Sequence, residues 1–365
     1  MKNIFLPLLL ILIFTRITVA QGVTDSSITH KTAHIYVDLA SIPSLLQAAD
    51  AITQRSTDPK LIFFKRIKAL EPNDEVLLSI NAKMVDAKFL GETNYAKFSE
   101  LIDRNVIPFY KEYSDHNFII HLNAHHLERS GNILQIIPKD KVKEIHLYDD
   151  SIGRSLWDRG KYGNYKELTK DYTVYFHASF YDSKVFPIKT DKIIPVDLQK
   201  KASELSDEKR EMLAKIVGLD IGKVKTMFKN RPVAVFVDDP KLNIETTQVL
   251  IQKVIKEKPD IKNYAWLYKQ HPRVSRSGAV RDILNNYFKN ILDIPNSVPL
   301  EVLFLIGLTP DYIMGYGSSV FFSFKKEQIL GYIQRPVLET YKQHLLNLDI
   351  LTPDMIVPFI EEKVD

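Results

Sequence analysis

The sequence predicts an α/β protein of two domains. Short apolar runs alternate with helical patterns along the chain, and several of these runs end in polar residues. With 365 residues and 45% hydrophobic content, the chain is long enough for two cores of ordinary domain size. We expect the first domain to span residues 34–195 and the second to span residues 196–350. Residues 351–365 should form a C-terminal segment that packs back on the first domain.

The composition argues against several classes of function. The formal net charge is +4, with 49 basic and 45 acidic residues mixed along the chain, and this balance is too weak to predict nucleic-acid binding. The absence of cysteine excludes disulfides, thiolate metal ligands and a cysteine nucleophile. The sequence has no Walker motif and no dinucleotide glycine fingerprint, which argues against ATPases and dehydrogenases.

The first 20 residues have the pattern of a secretory signal. Lys2 precedes the apolar run Ile4–Phe14, and small residues precede Gln21. This run is short for a transmembrane helix, which needs about 20 residues. We therefore expect cleavage after Ala20, with retention as a membrane anchor as the alternative, and a linker at residues 21–33. The protein should be exported, to the periplasm or the inner membrane if it is bacterial.

The first domain should contain at least three strands. His34–Val37 has the pattern of a strand, and a capped helix start follows at Ser41. Two later apolar runs, Phe118–Leu122 and Ile145–Tyr148, predict further strands. The segment Tyr162–Phe186 is rich in aromatic residues but irregular in pattern.

Polar residues follow two of these strands. Asn123 comes directly after one strand, and the pair Asp149-Asp150 after the next. In open α/β sheets, ligands bind just beyond the carboxyl ends of the strands. These side chains are therefore site candidates, with an exposed acidic turn as the alternative reading of the aspartate pair.

The second domain repeats the alternation of strands and helices. We expect helices at Ser206–Gly218 and Ile244–Lys256, and strands at Val233–Val237 and Asn263–Lys269. The last strand leads into a Lys-Gln-His-Pro-Arg sequence. Proline disfavours a helical conformation for the residue before it, so His271 should lie in a loop at the end of this strand. A purely structural histidine is the alternative.

A short buried helix should lie at Leu300–Ile306. Pro299 suits the first helical position and Gly307 suits the position that ends the helix. The helix carries one charged residue, Glu301, and a buried carboxylate needs a partner. The alternative is a surface acid that reaches solvent.

A strand, a glycine turn and two serines follow this helix. Tyr312–Met314 predicts the strand, Gly315–Gly317 the tight turn, and Ser318-Ser319 the start of an apolar helix. Amides at a helix start lack intrahelical acceptors and the helix dipole favours negative charge, so this turn suits an anion. Ser318 as a simple N-cap is the alternative.

Together these residues have the chemistry of a nucleoside monophosphate site. A vicinal diol can donate two hydrogen bonds to Glu301, and cationic and hydroxyl side chains can neutralise a phosphate. Asn123 and Asp150 would line the opposite wall, where Asp150 offers a carboxylate base. The side chains suited to the phosphate are Lys269, His271, Ser318 and Ser319.

Five motifs in this sequence resemble the bacterial sialyltransferases of glycosyltransferase family 80. They are, in chain order, Ile35–Pro43, His121–His125, Leu147–Asp150, Lys269–Arg273 and, most densely, Leu300–Ser323. The resemblance covers essentially the chain beyond residue 33. It rests on the order and approximate spacing of the five motifs, since none of them is specific alone.

The resemblance implies a GT-B fold, in which two Rossmann-like α/β domains face each other across a deep cleft. It implies a CMP-sialic acid donor, used without a metal or other cofactor, and a glycan acceptor with a terminal galactose, such as a bacterial lipooligosaccharide. By the same resemblance Asp150 is the general base, His271 is the general acid and Glu301 holds the ribose. Lys269, Pro272, Ser318 and Ser319 would complete the CMP site. Asn123, Asp149, Ser151 and Arg273 would face the sialic acid or the acceptor.

The chain departs from the family pattern at two places. Ser151, followed by Ile152 and Gly153, stands where the family has glycine after its aspartate pair. Leu242 stands where family members carry a tryptophan that stacks on the acceptor sugar. The donor chemistry is therefore implied more directly than the identity of the acceptor.

Two other functions fit part of the pattern. A transferase for another CMP-activated nonulosonic acid would need the same residues, and the sequence shows no feature that selects the donor acid. An exported, non-catalytic sugar-binding protein would explain the signal and the two domains. It would not explain why Asp150, His271, Glu301 and the serine pair occur together.

Overall fold

The computed structural model describes residues 31–38, 41–64, 74–86, 95–124, 132–149, 162–178, 192–229, 231–239, 243–271, 278–296, 298–334 and 339–360. The compact unit Lys31–Asp365 contains two parallel β-sheets with helices between the strands, which confirms the predicted α/β class. The predicted signal lies outside the described residues. No helix in the described ranges combines the length and the apolar character needed to cross a bilayer.

The first sheet has seven strands in the spatial order β3-β2-β1-β4-β5-β6-β7. All of its neighbouring strands pair in parallel. The three predicted strands are present as β1, β4 and β5, each longer than predicted. The strands are β1 (Thr32–Asp38), β2 (Lys60–Phe64), β3 (Ala82–Asp86), β4 (Asn117–Asn123), β5 (Val142–Tyr148), β6 (Val174–Ala178) and β7 (Ile193–Pro195). The helices of this part are α1 (Ser41–Thr53), α2 (Asp74–Ser79), α3 (Tyr95–Glu112), α4 (Ile133–Ile136) and α5 (Tyr162–Asp171).

The second sheet has six parallel strands in the order β10-β9-β8-β11-β12-β13. The strands are β8 (Val233–Val237), β9 (Ala265–Lys269), β10 (Ile291–Ile294), β11 (Tyr312–Tyr316), β12 (Ile329–Gln334) and β13 (Ile356–Pro358). The helices are α6 (Leu198–Glu204), α7 (Asp207–Ile216), α8 (Ile221–Met227), α9 (Ile244–Glu257), α10 (Ala279–Tyr287), α11 (Val302–Leu305) and α12 (Glu339–Asn347). The predicted strand at β8 and the predicted helices at α7 and α9 are confirmed within two residues.

Both sheets have the strand order of a Rossmann-like domain. In each, the chain builds three strands outward in one direction and then returns to the other side of the first strand. The direction reverses between β1 and β4 in the first sheet, and between β8 and β11 in the second. Ligands of such sheets bind at the carboxyl ends of the strands near this reversal.

Two segments of the second sheet differ from the prediction. The strand β9 begins at Ala265, because Pro259–Asn263 forms a 3₁₀ helix before it. The strand β11 extends through Gly315, so this glycine lies inside the strand and not in a turn. Its φ is +128°, and an added Cβ would lie 2.2 Å from the carbonyl oxygen of Val237 on β8. Gly315 is therefore required by the close approach of the two strands.

The C-terminal segment also differs from our expectation. We expected residues 351–365 to pack back on the first domain. Instead β13 pairs with β12 at the edge of the second sheet, and the amide of Ile360 donates to the Thr246 hydroxyl at the start of α9. The domain boundary near residue 196 stays a prediction, although all strands of the first sheet precede it and all strands of the second follow it.

One hydrophobic core connects the two sheets. Leu45 and Ile52 of α1 belong to the same buried cluster as Leu213 of α7 and Val235 of β8. Two further clusters cover the outer faces, one behind the first sheet and one behind the second. The helices α1 and α7 therefore fix the two sheets to each other through apolar packing.

Candidate active site

The candidate nucleotide site lies at the carboxyl edge of the second sheet. Lys269 is the last residue of β9, and Ser318 follows two residues after β11. These two strands are the neighbours of β8, on its two sides. The structure thus brings Lys269 and Ser318 to the same sheet edge, where the chain reverses direction between β8 and β11.

Lys269 is buried, with 6% of its surface exposed. Its ammonium group donates to the carbonyl oxygens of Gln270, at 2.6 Å, and of Asn296, at 3.0 Å. A lysine ammonium has three N–H donors, so these two bonds within the described residues leave one donor for a ligand. Burial lowers the pKa of Lys269 to about 8, although the negative charge of Glu301 opposes this shift. A bound phosphate would favour the protonated form.

Glu301 is buried as well, with 7% exposure, so it is not a surface acid. It lies in a helical turn that begins at Pro299, whose carbonyl accepts from the Val302 amide at 3.2 Å. Gly307, with φ of +77°, ends the turn as predicted. Burial raises the pKa of Glu301, and the positive charge of Lys269 acts in the opposite direction. The two side chains are therefore a buried, mutually influencing pair of opposite charge.

The serine pair has a different local structure from the one we expected. Ser318 has an extended backbone, makes no side-chain capping hydrogen bond, and precedes a 3₁₀ helix of only five residues, Ser319–Ser323. The simple N-cap alternative for Ser318 is therefore wrong. A helix this short has little dipole, so any anion would be bound by the hydroxyls and the first amides.

His271 lies in a non-helical segment after β9, as predicted, and is half-buried. It follows Lys269 by two residues, so the structure places it at the same sheet edge. The neighbouring candidates Pro272 and Arg273 lie outside the described residues. The role of His271 in proton transfer stays a prediction.

The first sheet presents its candidates at the ends of β4 and β5. Asn123 ends β4 and has 1% exposure, and Asp149 follows β5 with no exposed surface. The Asp149 amide donates to the His177 carbonyl at 3.0 Å, which continues the pairing of β5 with β6. An exposed acidic turn is therefore wrong for Asp149. The predicted base Asp150 and its neighbour Ser151 lie outside the described residues.

The sequence reasoning missed an acidic pair at the end of β8. Asp238 and Asp239 are buried, with 3% exposure each, and the Tyr268 hydroxyl donates to Asp238. Burial raises the pKa of Asp238. The rule that selected polar residues after β4 and β5 would also have selected this pair, because it directly follows a predicted strand.

The sequence reasoning also missed a set of histidines on the first sheet. His34 and His121 are buried on neighbouring strands, and His34 Nδ1 lies 3.2 Å from His121 Nε2. With Asp50, whose carboxylate is 3.7 Å from His121 Nε2, they form a group that could hold a metal ion. Alternation of polar aromatic residues along β1, β4 and β5 was the available signal.

Geometry favours a hydrogen bond over a metal ion in this group. The ring centroids of His34 and His121 are 5.5 Å apart, and His34 Nδ1 is 3.2 Å from His121 Nε2. The centroid distance is longer than the nitrogen distance by about the sum of the two ring radii. The two nitrogens therefore point at each other along one line. A zinc ion needs both nitrogens at about 2.1 Å from one point, so both rings would have to turn. None of the predicted site residues belongs to this group.

Comparison with known proteins identifies the fold as GT-B, the two-domain fold of many glycosyltransferases. An α-2,3-sialyltransferase from Photobacterium phosphoreum superposes with a TM-score of 0.68 at 18% identity, over 90% of this chain and 98% of its own. A sialyltransferase from Photobacterium damsela gives a TM-score of 0.65 at 18% identity, over 90% and 81%. A 2,6-sialyltransferase from Photobacterium sp. JT-ISH-224, solved with CMP and lactose, gives 0.60 at 19% identity, over 90% and 78%.

The family model described as Sialyltransferase PMO188 matches residues 251–352, the part of the chain that contains Lys269, Glu301 and the serine pair. No curated protein matches the chain. The predicted resemblance to the bacterial sialyltransferases is thus confirmed. These findings indicate a glycosyltransferase and support a sialyltransferase function.

Proposed function

We propose that this protein transfers sialic acid from CMP-N-acetylneuraminic acid to a hydroxyl group of a galactoside-type glycan. The transfer would be an inverting displacement at the anomeric carbon and would need no metal ion. Export through the N-terminal segment is part of this proposal, and it rests on the sequence pattern alone. The intact mass of the protein purified from its native membrane or periplasm would test whether residues 1–20 are removed.

The observation that carries the proposal is the buried pair Lys269 and Glu301 at the carboxyl edge of the second sheet. A buried carboxylate is costly unless it is paired or hydrogen-bonded, and a vicinal diol offers Glu301 two donors. The remaining N–H of Lys269 and the hydroxyls of Ser318 and Ser319 suit a phosphate monoester. The ribose and phosphate of a cytidine monophosphate supply both groups in one ligand.

The proposed chemistry divides between the two sheets. Asp150 takes the proton of the acceptor hydroxyl as that oxygen attacks, and general base catalysis contributes typically 10²- to 10⁴-fold. Lys269, Ser318 and Ser319 stabilise the charge that develops on the departing phosphate, because donors that are held in place before the reaction need no reorganisation. His271 donates a proton to the leaving CMP.

A related structure supports the choice of ligands. The Photobacterium sp. JT-ISH-224 enzyme was solved in a ternary complex with the donor product CMP and the acceptor substrate lactose. Its sequence is 19% identical to this chain, so the shared fold makes the same ligand classes reasonable here without fixing individual contacts. Leu242 and Ser151, where this chain departs from the family pattern, are reasons to test other galactosides beside lactose.

The direct test is incubation with CMP-N-acetylneuraminic acid and a panel of galactosides, with CMP release and the product linkage as readouts. Transfer to a galactoside would support the proposal. Transfer only from another CMP-nonulosonic acid would correct the donor. If CMP raised the melting temperature but no donor reacted, the non-catalytic sugar-binding alternative would replace the enzyme.

A further inference from the structure

A buried tyrosine hydroxyl joins the end of β11 to the start of α9. Tyr316 is the last residue of β11 and has no exposed surface. The backbone amide of Asn243 donates to the Tyr316 hydroxyl at 2.8 Å. The Thr247 hydroxyl and the Asn243 carbonyl oxygen each lie 2.9 Å from the Tyr316 hydroxyl. The mechanism proposed above uses none of these three residues.

The connection is the same whichever way the hydroxyl protons point. A backbone amide only donates, so the Tyr316 hydroxyl accepts from Asn243. The Thr247 hydroxyl also lies 2.9 Å from the Asn243 carbonyl oxygen. Tyr316 can therefore donate directly to this carbonyl, or it can donate to Thr247, which then donates to the carbonyl. In both arrangements at least two hydrogen bonds hold the Tyr316 hydroxyl on α9.

The start of α9 is itself held firmly in the second half of the chain. Asn243 caps the helix, because its side-chain oxygen accepts from the Thr246 amide at 2.7 Å. The helix has 14 residues. Leu250 packs so closely on β12 that a Cβ added to Gly331 would lie 2.4 Å from its side chain. Tyr316 thus connects the end of β11 to a capped and packed helix.

The backbone that follows Tyr316 leads directly to the serine pair. Only Gly317 separates Tyr316 from Ser318. The Gly317 amide donates to the Ile333 carbonyl on β12 at 3.1 Å. A Cβ added to Gly317 would lie 2.3 Å from the hydroxyl oxygen of Tyr332, so this side chain fills the space beside the glycine. The backbone is held by β12 on one side and, through Tyr316, by α9 on the other. A shift of Tyr316 would therefore move the serine pair.

The serine pair needs such support because it lies at the edge of the core. Ser318 and Ser319 are half-buried, and Ser318 makes no side-chain capping hydrogen bond to the 3₁₀ helix after it. Hydrogen-bond donors stabilise a developing charge best when they are held in place before the reaction. A buried tyrosine two residues before Ser318 can hold the pair in this way.

We propose that Tyr316 is a positioning residue of the phosphate site, because its hydrogen bonds to the start of α9 hold Ser318 and Ser319 in the orientation that binds the phosphate. This rests on the proposed function, in which the serine pair binds the phosphate of CMP. Tyr316 does not contact the substrate in this role, and it acts through the two serines.

Tyr316→Phe removes the hydroxyl and keeps the ring. We expect the Kd for CMP to rise about tenfold, as misalignment of a hydrogen bond to a charged group should produce. The Kd for cytidine should stay at its wild-type value, because cytidine has no phosphate. The donor KM should rise and kcat should fall, since the serine pair would serve both the bound donor and the transition state. A lower melting temperature with an unchanged ratio of the two Kd values would mean a purely structural role and would overturn the proposal.

Tyr264→Phe is the matched control. Tyr264 is buried, with 5% exposure, and its hydroxyl donates to Asp260 at 2.8 Å. It directly precedes β9 and so lies at the amino edge of the second sheet, away from the serine pair. This variant may lose stability as Tyr316→Phe does, but both Kd values should stay unchanged. An equal rise of the Kd for CMP in the two variants would overturn the specific role of Tyr316.

A double-mutant cycle tests whether Tyr316 acts through the serine pair. We expect that the losses of CMP affinity in Tyr316→Phe and in Ser318→Ala/Ser319→Ala do not add when the substitutions are combined, because residues that act as one unit are energetically coupled. Fully additive losses would mean that Tyr316 affects the nucleotide by another route, and they would overturn the proposal.

Two variants of Thr247 give the answer if Tyr316→Phe does not fold. Thr247→Val removes one partner of the Tyr316 hydroxyl and should raise the Kd for CMP by a smaller factor, again without an effect on cytidine. Thr247→Ser keeps the hydroxyl and should bind CMP as the wild type does. Equal Kd values for CMP in Thr247→Val and Thr247→Ser would overturn the proposal.

Hydrogen exchange of the whole, ligand-free protein provides a measurement that does not depend on activity. Exchange rates report how often a backbone hydrogen bond opens. The Phe321 amide donates to the Ser318 carbonyl at 3.2 Å. The amides of Gly317 and Phe321 should exchange faster in Tyr316→Phe than in the wild type or in Tyr264→Phe. Unchanged exchange in Tyr316→Phe would mean that the hydroxyl does not hold this segment, and the proposal would be wrong.

Failure of the proposed function gives a different result from failure of this inference. If the wild-type protein did not bind CMP, the proposed function would be wrong, and the role of Tyr316 would be overturned with it. If the wild-type protein bound CMP and transferred sialic acid, but Tyr316→Phe kept the wild-type ratio of Kd values, only the role of Tyr316 would be wrong.

Discussion

Lys269 and Glu301 are both at least 90% buried, and the charge of each favours the ionised form of the other. Burial acts against both charges, and for each residue it is the larger influence on the pKa. A site of this kind is incomplete without its ligand, because a phosphate and a diol would supply the interactions that burial has removed. The first predictions follow from this pair.

CMP affinity should fall as the pH rises above about 8. The pKa of Lys269 in the free protein is lowered to about 8, and a bound phosphate should raise it. Binding therefore requires proton uptake above this pH, and the Kd should rise about tenfold per pH unit until the pKa of the complex is reached. Calorimetric titration of CMP from about pH 7 to about pH 10 would measure this.

Lys269→Arg is the control for that experiment, because arginine stays protonated over this range. Its CMP affinity should be lower, since the bonds to Gln270 and Asn296 fit a compact ammonium group, but it should lose the pH dependence. If the Kd for CMP rose with pH by the same slope in wild type and in Lys269→Arg, the proton taken up on binding would belong to another group.

Glu301→Gln should weaken CMP binding and spare inorganic phosphate. The carboxylate is expected to accept two hydrogen bonds from the ribose, and its loss should cost roughly 1–3 kcal/mol of CMP binding. Isothermal titration with CMP, cytidine and phosphate would separate the contributions. A parallel loss of CMP and phosphate affinity would mean that Glu301 acts through Lys269 and does not hold the ribose.

Asp150→Asn should leave the Kd for CMP nearly unchanged and lower kcat by at least about 10²-fold, as removal of a general base does. The expectation comes from the sequence, which puts this carboxylate just after β5, on the sheet opposite the nucleotide site. Single-turnover rates with lactose and CMP-sialic acid would measure it. Equal losses of CMP binding and turnover would remove Asp150 from the role of base.

His271→Ala should lower turnover with galactosides by about 10²-fold and keep much of the CMP affinity, since Lys269, Glu301 and the serine pair remain. A donor with a better leaving group should recover much of the lost rate, because protonation of the leaving group is then less important. Full activity in His271→Ala, or loss through a lowered melting temperature only, would return His271 to a structural role.

The free energy of unfolding should decrease below about pH 6.5. Burial lowers the pKa of His34 to about 4 and that of His177 to about 3, so both stay neutral in the native state while the unfolded chain takes up protons. The contribution of the two histidines to the free energy of unfolding is then fully present above about pH 6.5. It is lost on acidification, by about 1.4 kcal/mol per pH unit for each histidine. Urea unfolding of wild type and His34→Gln at several pH values would test this. Identical pH slopes would contradict the assignment for His34.

The sequence predicted the parts of the fold that depend on local patterns. β8 was predicted with its full bounds, because five consecutive apolar residues lie between Pro232 and Asp238. Gly307 was predicted as a helix end, because a positive φ there favours glycine. In contrast, β6 has only five residues in an aromatic-rich segment, and the pattern was too short to distinguish from its surroundings.

The sequence identified several residues of the candidate site, but it did not predict their hydrogen bonds. Lys269 and Glu301 were selected from the sequence, yet the bonds of Lys269 to the Asn296 carbonyl and the burial of both depend on contacts between distant segments. Gly315 illustrates the same limit: a glycine between two apolar residues reads locally as a turn, and only the approach of Val237 explains it. The hydrogen bonds of His146 to Glu144 and to His177 join side chains of β5 and β6. No local sequence pattern predicts them.

The single core shared by the two sheets has a consequence for protein engineering. Since α1 packs into the same apolar cluster as α7 and β8, neither half of the chain contains a complete hydrophobic interior of its own. A chimera could join the donor-binding half of this protein to the acceptor-binding half of another transferase. The apolar side chains of the shared cluster would then be exposed to solvent or would pack against side chains of the wrong shape. Val76 of α2 belongs to the same cluster. Such an exchange should therefore succeed only if α1 and α2 are transplanted together with the half they pack against.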